Sequence, residues 1–140
     1  MPMLKVVEQR GRPADSEKLT LNIGFVDLGQ IDLLVQESFY ANRSDFIRTA
    51  IRNQLQTHAE VVRQTVLRKS IALGLRHYTR ADLEAAVAAG ERLQIHVLGL
   101  ASIAPDVSAE LAAAAIDSVL VLGTFQASAE VKAALADRLR

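Results

Sequence analysis

The sequence has no cysteine, no tryptophan and no excess of charge of either sign. Without cysteine, disulfides, thiolate metal sites and cysteine nucleophiles are excluded together. The 16 basic side chains are balanced by 16 acidic ones, so any contact with nucleic acid must rest on a local arrangement of charge. No run approaches the roughly 18 apolar residues of a membrane span, and Glu8, Arg10 and Arg12 stand where a signal peptide would be apolar. We therefore expect no membrane association and a cytoplasmic location.

The residues that are present divide the chain into three regions. Half of the 140 residues are hydrophobic but only 4% are aromatic, so a core of Leu, Ile, Val and Ala is expected. Residues 1–16 read as an N-terminal arm that contains two of the three prolines, residues 17–60 as one small domain, and residues 66–140, rich in Ala, Leu and Val, as another. The predicted fold class is α+β.

Residues 17–23 alternate polar and apolar side chains, as a strand does when one face is buried. The apolar face would carry Leu19, Leu21 and Ile23, and the polar face Lys18, Thr20 and Asn22. A short strand ahead of two helical segments has no partner strand nearby in its own chain. The pattern therefore predicts pairing with a second copy, which leaves the polar face of the paired ribbon free.

Two helical patterns follow the strand. Asp27 can cap the first, whose apolar positions are Leu28, Ile31, Leu34, Val35 and Phe39. Asn42 caps the second, and Asp45 is placed for its carboxylate to bond back to the cap. The second helix is expected to continue past His58 as a connector.

The last region contains an internal repeat. Gly74, Gly99 and Gly123 are 25 and 24 residues apart, and each follows a short β-like run. An acid recurs in step at Asp82, Asp106 and Glu130. Each unit is predicted as a strand, a tight turn at the glycine, and a helix with the acid in its first turn. About three strand–helix units of about 24 residues would form a parallel sheet backed by helices, similar to a short solenoid.

The segments Lys18–Ile23 and Asn42–Arg52, with the helix near Asp27 between them, resemble the ribbon-helix-helix family of DNA-binding proteins. The resemblance implies an intertwined homodimer whose antiparallel ribbon enters the major groove of double-stranded DNA, a groove that admits such a ribbon. Lys18, Thr20 and Asn22 would then contact bases. Asn42, Arg43 and Ser44, at the positive end of the second helix, would hold a phosphate.

The arm contains Arg10-Gly11-Arg12-Pro13, which is similar to the core of an AT-hook. Arg10 and Arg12 could lie along a narrow A·T-rich minor groove, where the potential is most negative. The alternative is a solvated tail that carries two charges.

Other kinds of site find little support. Some ribbon-helix-helix repressors carry a nickel-binding domain, but that resemblance would require a histidine set with a cysteine, and His58, His77 and His96 are spread over separate elements. We expect no metal, no cofactor and no enzymatic activity. The acids of the repeat are better explained as helix-start carboxylates.

The sequence thus predicts a sequence-specific DNA-binding transcriptional regulator, a repressor acting as a homodimer or higher homo-oligomer at the nucleoid. The alternative is the antitoxin of a toxin–antitoxin pair, with DNA binding as autoregulation. For residues 66–140 two roles stay open: an oligomerisation platform, or a domain that binds a protein or small effector.

Overall fold

The computed structural model describes residues 16–140, which form two compact units, residues 16–65 and residues 66–140. The first unit holds helices α1 (Phe25–Gln36) and α2 (Arg43–Thr57) and the start of α3 (Ala59–Arg68). The second contains β1 (Ala72–Tyr78), α4 (Arg80–Ala88), β2 (Leu93–Ile103), α5 (Ala109–Ala115), β3 (Ile116–Gln126) and α6 (Ala129–Ala134), followed by a 3₁₀ turn at Ala136–Arg138. The fold is therefore mixed helix and strand.

Helix α1 begins three residues earlier than a cap at Asp27 predicts. Gly24 is its N-cap in an extended conformation, and Asp27 lies inside the first turn. The predicted start at Asp27 was wrong because Phe25 and Val26 adopt helical geometry without a side-chain cap. Asp27 still favours this end of the helix, since its negative charge faces the positive end of the helix dipole.

Helix α1 ends in a Schellman motif. Ser38 adopts a left-handed backbone with φ of 70°. The N–H of Ser38 donates to the carbonyl of Val35, and that of Phe39 donates to the carbonyl of Leu34. Phe39, predicted on the apolar stripe of this helix, lies beyond its end and is exposed.

Helix α2 is capped by Asn42, as predicted, but it does not continue past His58. The helix ends at Thr57, and His58 has φ −104° and ψ 12°. Helix α3 begins at Ala59, and the N–H of Val62 donates to the carbonyl of His58. The predicted continuous connector is therefore two helices with a break at His58.

The N-terminal unit has very little core of its own. Among residues 16–65 Ile31 is the only buried side chain, at 8% exposure. Helices α1 and α2 contact each other through half-buried residues, and Tyr40 packs edge-on against Phe46 with 5.0 Å between ring centroids. The unit therefore buries too few apolar side chains to form a complete hydrophobic core within one chain.

The C-terminal unit is built on a three-stranded parallel sheet in the order β1-β2-β3. Gly74, Gly99 and Gly123 stand opposite one another in register at the middle of the strands. All three have positive φ. The predicted tight turns at these glycines were wrong, because each strand passes through its glycine and continues for three or four residues.

The helices of this unit start at side-chain caps. Thr79 and Asp82 form a reciprocal capping box at α4, and Ser108 and Ser128 cap α5 and α6. The predicted acid in the first turn is present at Asp82 and Glu130. It was wrong at Asp106, which precedes the Ser108 cap, and Glu110 takes that place in α5.

The core of the C-terminal unit lies between the helices and one face of the sheet. Its fully buried members include Leu83 of α4, Ile95 and Val97 of β2, and Val131 of α6. Burial of this apolar area is the main stabilising contribution to the unit. Within residues 16–140 no helix is long and apolar enough to cross a membrane.

Candidate nucleic-acid interface

Residues 16–24 are neither helix nor strand in the single chain, and their polar side chains reach solvent. Lys18, Thr20 and Asn22 are all exposed. On the alternate positions, Leu19 and Leu21 are also exposed, at 80% and 61%. An isolated chain therefore leaves both faces of this segment uncovered.

Exposed apolar side chains continue along the helices of the same unit. Helix α2 contains no buried residue. Large hydrophobic side chains are exposed at Phe25, Val26, Leu33, Ile51 and Leu55. Large apolar side chains exposed in this number are typical of a surface that associates with another chain. Of the apolar side chains of α2, only Phe46 and Ile47 are half-buried by the chain itself.

The start of α2 presents backbone N–H groups to solvent. Asn42 accepts a hydrogen bond through Oδ1 from the N–H of Asp45 at 2.8 Å, and the Asp45 carboxylate accepts from the N–H of Ala41 at 2.8 Å. The Asp45 carboxylate therefore accepts from Ala41, one residue before the cap, whereas the prediction had it bond to the cap residue Asn42 itself. In a helix the first-turn N–H groups have no intrahelical acceptor, so those of Arg43 and Ser44 remain directed at solvent, beside the positive end of the helix dipole.

The side chain of Arg43 is held by a partner that sequence reasoning missed. Asp32 of α1 accepts two hydrogen bonds, from Nε at 2.8 Å and from Nη2 at 2.9 Å. These hydrogen bonds from Arg43 lower the pKa of the Asp32 carboxyl below its ordinary value of 3.8, and the pKa of Arg43 is raised in turn. No local spacing rule reveals this pair, because the two residues lie on different helices.

The structure brings the predicted site residues into two groups of one unit. Lys18, Thr20 and Asn22 share the extended segment, and residues 42–44 form the cap and first turn of α2. Arg10 and Arg12, predicted as a minor-groove arm, lie outside the described residues. Nothing in residues 16–140 forms a group of three or more His, Asp or Glu side chains suited to a metal ion.

Two of the histidines instead bond to serines of the neighbouring strand. His77 Nδ1 lies 2.7 Å from the hydroxyl of Ser102, and His96 Nε2 lies 3.0 Å from that of Ser118. Both rings are therefore hydrogen-bonded to the neighbouring strand of the sheet.

Comparison with known families gives one match that spans nearly the whole described chain. Residues 14–132 match the model of a ribbon-helix-helix transcriptional regulator family. The match extends far beyond residues 17–60 and includes most of the C-terminal unit. Comparisons with curated proteins and with solved structures found no match. The chain therefore belongs to the ribbon-helix-helix transcriptional regulator family, whose members bind DNA.

Proposed function

We propose that this regulator is a sequence-specific repressor in which two copies pair residues 17–23 into an antiparallel ribbon that enters the major groove. The observation that carries the proposal is the exposure of Leu19 and Leu21 on a segment that also presents Lys18, Thr20 and Asn22. Pairing with a second copy covers the leucines and leaves the polar side chains on the outer face. A two-stranded ribbon of that kind fits the major groove.

The three polar side chains offer complementary hydrogen-bond chemistry to base edges. Lys18 can donate to O6 and N7 of guanine, and Asn22 can bridge N6 and N7 of adenine. Thr20 can either hydrogen-bond or contact a thymine methyl group. Each chain of the ribbon would read one half-site, so a two-fold dimer would recognise an inverted repeat.

The start of α2 supplies the contact that fixes the ribbon on the duplex. The N–H groups of Arg43 and Ser44 and the amide of Asn42 can hold one phosphate oxygen, aided by the helix dipole. Arg43 adds a charge that releases counterions on binding, which makes affinity dependent on salt. These groups carry no base information, so they contribute equally to all sequences.

The N-terminal arm would extend the contact surface. Arg10 and Arg12 precede the ribbon closely in sequence, and on our proposal they insert into an A·T-rich minor groove beside the half-site. Because the whole chain has no net charge, we expect weak non-specific affinity and a correspondingly large share of affinity from base contacts.

The folded core of residues 66–140 favours a regulator over an antitoxin. An antitoxin of this family is expected to end in a short segment that folds on its toxin, whereas this region has buried side chains in sheet and helices of its own. Co-purification of the chain with a small protein from a neighbouring gene would favour the antitoxin instead.

Selection from random duplexes tests the proposed function directly. Purified full-length chain should enrich an inverted repeat and protect it from cleavage as one continuous footprint. In a reporter assay, a promoter that carries this repeat should lose transcription when the chain is present. Enrichment of no common sequence, or of a site without two-fold symmetry, would contradict the proposal.

The Arg43→Ala variant separates phosphate contact from base reading. It should weaken binding to selected and random duplexes by the same factor and reduce the salt slope by about 1 per chain. Gln56→Ala, at an exposed position near the far end of α2, is the matched control and should leave both quantities unchanged.

A further inference from the structure

Within residues 66–140, the helices all pack on one face of the sheet, and the opposite face is lined by leucines. This leucine face consists of Leu73, Leu75, Leu98, Leu100, Leu120 and Leu122. Strand residues alternate between the two faces of a sheet, and the intervening positions of β2, such as Ile95 and Val97, point into the core beneath the helices. None of the six leucines belongs to that core among the described residues.

The strand register places the leucines in rows across the sheet. Leu73, Leu98 and Leu122 stand opposite one another, and Leu75 stands opposite Leu100. Neighbouring strands lie about 4.8 Å apart, so the side chains of a row lie side by side. The leucine face is therefore one continuous apolar patch rather than scattered exposed residues.

A single chain leaves much of this patch in water. Leu73, Leu75 and Leu122 are each about half exposed or more, and Leu98, Leu100 and Leu120 are half-buried. Sheets made only of parallel strands occur with both faces covered. The helices cover one face of this sheet, so a second layer is needed to cover the leucine face.

The chemistry of the patch narrows what can cover it. Across the three strands, all of which the structure describes, the positions that share this face include no Asp, Glu, Lys or Arg. Four of the polar side chains that flank the leucines are hydrogen-bonded within the chain, His77 to Ser102 at one end and His96 to Ser118 at the other. A neutral, apolar face does not attract nucleic acid or a charged peptide, but it matches a copy of itself.

The size of the face is adequate for such a pair. The strands have 7, 11 and 11 residues, so at about 4.8 Å between strands and about 3.3 Å per residue the whole helix-free face, with the leucines at its centre, measures roughly 15 Å by 30 Å. Two such surfaces together approach the about 1,000 Å² that a specific protein–protein interface needs. A contact between two copies of the same patch is the usual form of a two-fold homo-oligomer.

We infer that the leucine face packs against the leucine face of a second copy, sheet on sheet. This contact is separate from ribbon pairing, which uses residues 17–23 of the other unit, and it does not depend on DNA binding. It gives each chain two association surfaces, one in each unit.

Site-specific cross-linking tests this inference. The chain has no cysteine, so Leu98→Cys and Leu100→Cys, both on the central strand, each introduce one thiol near the middle of the face. Facing sheets lie about 10 Å apart, so a bis-maleimide of that reach should convert most of either purified full-length variant to a covalent two-chain species. Ala88→Cys places the thiol at an exposed position of α4 and should give at least tenfold less of the covalent two-chain species.

A charge on the face provides the second measurement. Leu122→Lys in the Leu98→Cys background should reduce the cross-linked fraction at least tenfold. Val87→Lys places the same charge on α4 at a side chain of similar exposure, 43% against 49% for Leu122, and should leave the cross-linked fraction unchanged. The inference is overturned if the thiols on the face cross-link no more than Ala88→Cys, or if Leu122→Lys has no effect. Either result would assign the face to another occupant.

Discussion

The guanidinium of Arg43 and the carboxylate of Asp32 meet in a two-point contact that joins α1 to the first turn of α2, with N···O distances of 2.8 and 2.9 Å. The planar fork of arginine matches a carboxylate and a phosphate equally well. In the unbound protein, Asp32 therefore holds the Arg43 side chain that we propose to contact DNA phosphate. On binding, the phosphate would compete with Asp32 for this side chain.

Replacing Asp32 with Asn should strengthen binding to DNA of any sequence. Asp32→Asn leaves the full charge of Arg43 available, so the salt dependence of binding should become steeper by up to about 1 per chain. Measurement of the binding constant against salt concentration on random duplex checks this. Glu37→Gln removes the same charge from an exposed position just after α1 and serves as the control; equal effects of both substitutions would contradict the competition.

The same pair gives an expectation for pH. Because Arg43 holds the pKa of Asp32 below 3.8, the carboxylate stays ionised throughout the neutral range. The contribution of the pair to stability is therefore fully present above the ordinary carboxyl pKa, and it is lost only as pH falls through the lowered value. Both side chains are exposed, so this contribution is small.

The left-handed backbone at Ser38 predicts a stabilising substitution. A residue with a β-carbon in this conformation costs roughly 1 kcal/mol relative to glycine, and the position is the one where helices usually place glycine. Ser38→Gly should raise the free energy of unfolding by about that amount in denaturant titration. Ser44→Gly, inside the first turn of α2, should lower it by about 0.5–1 kcal/mol. A loss of stability in Ser38→Gly would contradict the assigned geometry.

The glycine column of the sheet predicts two unequal costs. A β-carbon on Gly99 would meet the carbonyl oxygen of Gly74, whereas a β-carbon on Gly74 would meet nothing within 4 Å. Both residues have positive φ, so an alanine at either position would suffer backbone strain of about 1–3 kcal/mol. Gly99→Ala should lose at least about 2 kcal/mol more than Gly74→Ala, because overpacking against backbone cannot be relieved by a rotamer change. Equal losses would contradict the register.

Local sequence signals predicted the elements of this fold more securely than their ends. Asn42 and Asp45 mark the start of α2 because a cap is a property of four adjacent residues. The spacing of Gly74, Gly99 and Gly123 indicated equivalent positions in successive strands, but it could not tell a turn from an in-register column. That distinction depends on contacts between strands about 24 residues apart.

The candidate site was predictable in its residues but not in their environment. Alternation in residues 17–23 assigns Lys18, Thr20 and Asn22 to one face, because the side-chain period of a strand is two. The partner of Arg43 was not predictable, since it depends on how α1 packs against α2. The exposure of Leu73, Leu75 and Leu122 was not predictable, because it follows from the placement of the helices on the other face of the sheet.

The specificity ratio of the Asn22→Ala variant tests the central claim most directly. This ratio compares binding to the selected inverted repeat with binding to random duplex at one salt concentration. Loss of a two-point contact to adenine should lower it by about tenfold or more, while the assembly measured by light scattering keeps its mass. Gln56→Ala should leave the ratio unchanged. If Asn22→Ala discriminates as well as the unaltered chain, the ribbon does not read the bases and the account is wrong.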